Sequence, residues 1–128
     1  MNNATLPHER ACILLVDDDH NVRASMRRVL VKAGHDVTEA GSGDAAMALI
    51  EEAASFNMLV TDIRMPGFCD GVVLATWWRK TVPGRPVLFV SGHSESRLDI
   101  GSLGPHEAVL HKPFRRASLL DAVQHLLT

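Results

Sequence analysis

Three consecutive acids, Asp17, Asp18 and Asp19, follow the apolar run of CILLVDDDH, and a fourth, Asp62, ends NMLVTD. Ser91 lies at the end of PVLFVSG, and Lys112 at the end of EAVLHK. Carboxylates gathered at one place need a cation, because two of them about 4 Å apart repel by about 4 kcal/mol at the effective dielectric near a protein surface. Lys112 alone supplies too little charge. A hard divalent ion bound by oxygen answers the need, and Mg2+ fits because it accepts a few carboxylates and keeps waters for an incoming phosphate. A carboxylate beside Mg2+ and a lysine, with a hydroxyl across the pocket, is a candidate phosphoryl acceptor: its oxygen attacks phosphorus to form an acyl phosphate.

For these residues to meet, the chain must bring them to one edge. ACILLV reads as a strand buried on both faces. Between Asn21 and Ala33 the apolar residues Val22, Met26, Val29, Leu30 and Ala33 share a helical face, and Gly34 stops that helix. DVTEA alternates as a second strand. A helix with Ser42 as its N-cap follows, Ala46, Met47, Ile50 and Ala53 facing inward. NMLVTD is a third strand, and the turn residues Pro66, Gly67 and Gly71 lead into a helix whose core face holds Leu74 and Trp78, with Trp77 one step off and part-exposed. PVLFVSG and EAVLHK are the fourth and fifth strands, and RRASLLDAVQHLL closes the chain as a helix led by Leu119, Val123 and Leu126. Five strand–helix alternations predict an α/β fold with a parallel sheet and helices on both faces. In SESRLDIGSLGPH, where the fourth helix belongs, Gly101, Gly104 and Pro105 predict a short, irregular or mobile one.

In such a sheet functional groups collect beyond the carboxyl ends of the strands. Asp17–Asp19, Asp62, Ser91 and Lys112 follow the first, third, fourth and fifth strands in turn. Singly each has an ordinary explanation: Asp19 sits where a helix cap belongs, Asp62 and Ser91 precede turns, and Lys112 is a typical surface charge. Their joint occurrence at successive strand ends carries the site.

The rest of the composition excludes several classes. A chain of 128 residues suits one domain with its own core. At 46% apolar and 22% charged it is globular, and a formal charge of −2 argues against nucleic acid or an anionic membrane as main partner. MNNATLPHER lacks the apolar core of a signal peptide, and no apolar run approaches membrane-spanning length. Cys12 and Cys69 have no metal-ligand spacing; Cys12 opens an apolar run and reads as a buried thiol in a reducing compartment, which favours the cytoplasm. The seven histidines are dispersed without zinc spacing, and His111 reads as an incidental strand-end residue.

At the motif residues the sequence resembles the receiver domain of two-component response regulators, from about Ala11 to Leu127. LLVDDD is similar to the family's acidic pair, VTDIRMPG to its phosphoacceptor segment, VSGH to its switch hydroxyl and LHKPF to its Lys-Pro-Phe element. The resemblance implies a flavodoxin-like, doubly wound sheet of order 2-1-3-4-5, with residues 10–128 as the receiver domain and residues 1–9 as a flexible extension. It implies that Asp62 accepts phosphate from a phosphohistidine on a histidine kinase or histidine phosphotransfer protein. Asp18 and Asp62 would ligate Mg2+ directly, Asp17 through water, and Arg64 through its backbone carbonyl. Lys112 would pair with the phosphoryl group, and the Ser91 hydroxyl would swing inward to bond it, switching a surface read by an output domain or a second copy. The domain would stand alone or be cut from a response regulator or hybrid kinase, with no membrane insertion.

The sequence also departs from the family. An aromatic residue usually stands three positions before the lysine, where this chain has Val109, so a relay must use packing or loop motion. Arg64 and His93 stand at the pocket mouth, and Arg64 is expected to alter the access of hydrolytic water to the acyl phosphate. Three other readings remain. DDDHN fits the start of a haloacid-dehalogenase-like phosphatase with Asp17 as nucleophile and Asp19 as acid/base, although Asn21 replaces the usual threonine or valine. A flavin module would want Ser, Thr and Gly after the first strand, where this chain has only acids. A phosphorylation-independent receiver would not need the complete acidic set.

Overall fold

In the computed structural model, residues 10–52, 55–92 and 103–128 are described. The short apolar runs form five strands: β1 (Cys12–Val16), β2 (Asp36–Ala40), β3 (Met58–Asp62), β4 (Val87–Ser91) and β5 (Glu107–His111). They make one sheet in the order β2-β1-β3-β4-β5, every neighbouring pair parallel. Among the described residues there are four helices, α1 (His20–Lys32), α2 (Gly43–Glu52), α3 (Gly71–Thr81) and α4 (Arg116–Leu127). The parallel sheet is what the alternation predicts, and its order is the flavodoxin-like one implied by the resemblance.

Side chains alternate across a strand, so each strand feeds two layers. Leu14, Val16, Leu59, Val87 and Phe89 face α2 and α3, where Ala46, Ile50, Leu74 and Trp78 meet them. Ile13, Leu15, Met58, Val60, Leu88 and Val90 face α1 and α4, against Met26, Leu30, Leu119 and Val123. Trp78 is fully buried, its indole N–H donating to the Arg85 carbonyl at 3.1 Å. Burying such a ring removes roughly 150–250 Å² from water, a gross gain of about 4–6 kcal/mol before chain entropy is counted. Trp77, one step round the helix, is half-buried against the same layer, as its spacing predicts.

Helix ends are set by side-chain caps. Asp19 accepts from the Asn21 and Val22 amides, Ser42 from Ala45, and Asp70 from Val72 and Val73, each satisfying amides that lack a helical partner. Gly34 takes φ 103° as the chain leaves α1.

Two expectations need correcting. Ala33 is not inward but is the exposed C-cap of α1, because the helix ends at Lys32 and the chain turns away there. Cys12 is only half-buried: as the first residue of β1 it lies at the rim, its Sγ 4.0 Å from Asp36 Oδ2. Cys69 is the buried thiol. Leu126 packs half-buried against the α1/α4 layer, on the helix face expected of it. The expected fourth helix, the inward placement of Ala53, the position of His93 and the extension at residues 1–9 lie outside the described residues. Within the described residues no helix is long and apolar enough to cross a membrane.

Candidate phosphoacceptor site

The parallel register carries the polar residues to one edge. Asp17 follows the last residue of β1, and its amide donates to the Ala40 carbonyl at the end of β2. Asp62 ends β3 opposite Val90 of β4, and the Ile63 amide donates to the Val90 carbonyl. The Lys112 amide donates to the Ser91 carbonyl at 2.7 Å, fixing the lysine one residue beyond β5. Backbone hydrogen bonds between strands therefore set the spacing of the site.

Carboxylate oxygens of Asp17, Asp18 and Asp62 lie within 4.8 Å of one another. Asp17 is buried, Asp62 half-buried and Asp18 exposed. Asp17 Oδ1 accepts the Asp19 amide at 2.9 Å, while its Oδ2 faces Lys112 Nζ at 3.4 Å. The same ammonium stands 3.8 Å from Asp62 Oδ2. Burial pushes the Asp62 carboxyl up to about 6, and the charges of Asp17 and Asp18 add to the rise. Lys112 and the Ile63 amide pull the other way without cancelling it. One ammonium thus undercompensates three carboxylates.

That imbalance is the test of fit for a metal. Three oxygen donors with unneutralised charge, one of them held against ionisation, match a hard divalent cation such as Mg2+. Asp17, Asp18 and Asp62, the carboxylates assigned to the metal in sequence, are the three the fold brings together. Lys112 joins them. Ser91 is buried on the neighbouring strand, one residue past Val90, and shares the strand parity of Val87 and Phe89 rather than that of Val90. Arg64 is exposed and lines a cavity of about 290 Å³ with Met65, Asp70, Val72 and Val73. Asp19 caps α1 and stands outside the carboxylate cluster, whereas a dehalogenase-type phosphatase would use it as acid/base.

Two residues were not singled out in sequence. Gly71 opens α3 so close to β3 that a Cβ there would meet the Asp62 carbonyl oxygen at 2.0 Å. Its signal was present in the turn-rich RMPGFCDG, read only as a helix entry. Arg23 donates from Nη1 to the Asp17 carbonyl oxygen at 2.5 Å and from Nε to Glu39 at 2.9 Å. Its only mark in sequence is its place in the first turn of the helix that follows the acids.

Comparison with known proteins agrees with the geometry. The family model for the response regulator receiver domain matches residues 13–124. The response regulator receiver protein CpdR of Brucella abortus (strain 2308) is 34% identical over 116 residues, covering 90% of this chain and 95% of that protein. The sensor kinase CckA of the same organism is 36% identical over 121 residues, but the match spans only 12% of that protein. A crystal structure of a response regulator receiver protein from Sinorhizobium medicae WSM419 superposes with a TM-score of 0.83 at 34% identity, covering 93% of this chain and 95% of that one. The chain belongs to the response regulator receiver domain family of two-component signalling, a signalling phosphoacceptor rather than a catalytic enzyme, and its Asp17, Asp18 and Asp62 cluster is consistent with the phosphoacceptor site.

Proposed function

We propose that Asp62 accepts a phosphoryl group from a phosphohistidine of a histidine kinase or histidine phosphotransfer protein, in a Mg2+-dependent reaction. The observation that carries this reading is the placement of Asp62 between two further carboxylates and one ammonium, with its own ionisation moved up to about 6. Near neutral pH the group is still mostly ionised, so it is a nucleophile whose charge the fold leaves in want of a cation.

In the transfer, a carboxylate oxygen of Asp62 forms the new bond to phosphorus as the phosphorus–nitrogen bond breaks, its electron pair leaving with the imidazole. Lys112 stands beside both Asp17 and Asp62 and pairs with the transferring oxygens. Asp18 and Asp62 are the direct ligands for Mg2+ in this reading, Asp17 the outer one, and the Arg64 carbonyl a further donor. When bound, the ion supplies neutralisation of charge on the phosphoryl oxygens. The Ser91 hydroxyl then bonds a phosphoryl oxygen. Its strand parity groups it with the α2/α3 layer, so this contact requires a local movement, which biases a two-state equilibrium of the neighbouring surface. An output domain or a second copy of the chain would read that surface. The chain spans nearly all of CpdR but about an eighth of CckA, so both a free-standing receiver and a receiver within a kinase are represented among its relatives.

The test is to incubate the chain with Mg2+ and acetyl phosphate and weigh the intact protein. One added phosphoryl group, absent without Mg2+ and absent in Asp62→Ala, is the expected result. Undiminished labelling of Asp62→Ala would overturn the reading.

A further inference from the structure

We propose that Arg23 is a positioning residue for the acidic pocket, orienting Asp18 through the peptide that joins it to Asp17. The proposal rests on the phosphoacceptor reading above and deepens it. Asp17 is held on both sides of its backbone. Its amide donates to the Ala40 carbonyl, and its carbonyl accepts from Arg23 Nη1. That carbonyl belongs to the planar peptide leading into Asp18, so holding it fixes the plane from which Asp18 departs and restricts the directions its side chain can take. Asp18 is the exposed member of the three carboxylates and stands on the loop between β1 and α1. Its direction depends on what holds that loop.

The arginine is itself held. Nε donates to Glu39 Oε1 at 2.9 Å, and Nη2 lies 3.3 Å from His20 Nδ1. The other Glu39 oxygen pairs with Arg27 at 3.3 Å, so the carboxylate on β2 is clamped from two turns of α1. The Arg23 side chain is mostly buried, at 15% exposure, which separates it from the mobile surface arginines whose ion pairs contribute little. A planar guanidinium with a rigid fork of donors can bridge the Asp17 carbonyl and Glu39 at once, whereas an ammonium on a flexible stem has no such fork. The specificity for arginine over lysine is therefore the signature of positioning, as distinct from charge.

The experiment titrates Mg2+ into the full chain by calorimetry, alongside thermal melting and acetyl phosphate labelling at low and saturating Mg2+. Arg23→Lys is expected to weaken Mg2+ binding at least fivefold and to slow labelling at low Mg2+, with recovery at saturating Mg2+. Glu39→Ala keeps the Arg23 charge but frees the guanidinium, and is expected to shift Mg2+ affinity in the same direction. It decides the matter if Arg23→Lys does not fold. A purely structural role would lower the melting temperature of both variants and leave Mg2+ affinity unchanged, which overturns the proposal. So does wild-type affinity in Arg23→Lys beside weak binding in Arg23→Met, because charge alone then suffices. If the parent chain neither binds Mg2+ nor is labelled, the phosphoacceptor reading itself fails, and the inference with it. If the parent does both and Arg23→Lys matches it, only the role of Arg23 fails.

Discussion

Lys112 stands closer to Asp17 than to Asp62, with Nζ 3.4 Å from Asp17 Oδ2 and 3.8 Å from Asp62 Oδ2. The ammonium is thus shared, and the carboxylate read as the phosphoacceptor has the looser hold on it. Its attraction still favours the charged form of Asp62, against burial and the two neighbouring acids. Lys112→Ala is expected to move the Asp62 titration above about 6, measured by carboxyl carbon NMR across pH. Phosphorylation should fall on the order of a hundredfold, as for loss of a preorganised charge donor.

Without a divalent cation, the upward shift of the Asp62 carboxyl to about 6 makes the native state weaker at neutral pH. The folded chain holds this proton more tightly than the unfolded chain. The contribution of the group is therefore fully present below about 4 and is lost as pH rises through about 6. Asp62→Asn stays neutral throughout. Its gain over the parent in chelator should be near zero well below pH 4 and grow as pH rises through about 6. Denaturant melts at a series of pH values check this, and added Mg2+ should narrow the difference.

The three consecutive aspartates separate by function. Asp19→Ala removes the cap of α1 and should cost about 1 kcal/mol of stability while leaving Mg2+ affinity in place. Asp18→Ala should do the reverse, weakening Mg2+ binding with little loss of stability. Calorimetry and thermal melts on the same two proteins distinguish the roles.

Gly71→Ala should be severe. The added methyl would lie 2.0 Å from the Asp62 carbonyl oxygen, and the nearest atoms are all Asp62–Ile63 backbone, with no flexible side chain to yield. A loss of about 1–3 kcal/mol is expected, together with impaired phosphorylation as α3 pushes β3 aside. Gly67→Ala, at a φ of 94° with nothing within 4 Å, should cost stability through backbone strain alone and serves as the comparison.

Arg64→Ala tests the expectation that this exposed side chain governs hydrolytic water. Once the acyl phosphate has formed, its decay rate should change severalfold in the variant. An unchanged rate removes that role for Arg64.

The elements were legible because their signals are local. Apolar runs of three to six residues between helical periods define β1, β3 and β4, and Leu74 with Trp78 marks the buried face of α3. The acids were legible because they stand at or just beyond the carboxyl ends of such runs, which in a parallel sheet brings them to one edge. What escaped depends on contacts across the fold. Arg23 resembles any helix-surface arginine until β2 brings Glu39 beside it, and Gly71 resembles any turn glycine until α3 lies against Asp62. Cys12 looked buried because an apolar run gives no sign of which end meets the rim.

The sheet divides the core into two insulated halves, one under α2 and α3 and the other under α1 and α4. Side chains of the two halves are separated by a layer of hydrogen-bonded backbone, so core substitutions made one on each side should behave additively. The strand ends are where that insulation stops. Asp62 follows the α1/α4 parity of Val60, while Ser91 follows the α2/α3 parity of Phe89, and their backbones are joined through Val90 and Ile63. A group bound between them would act as a weld across the partition, making two independent layers respond as one body.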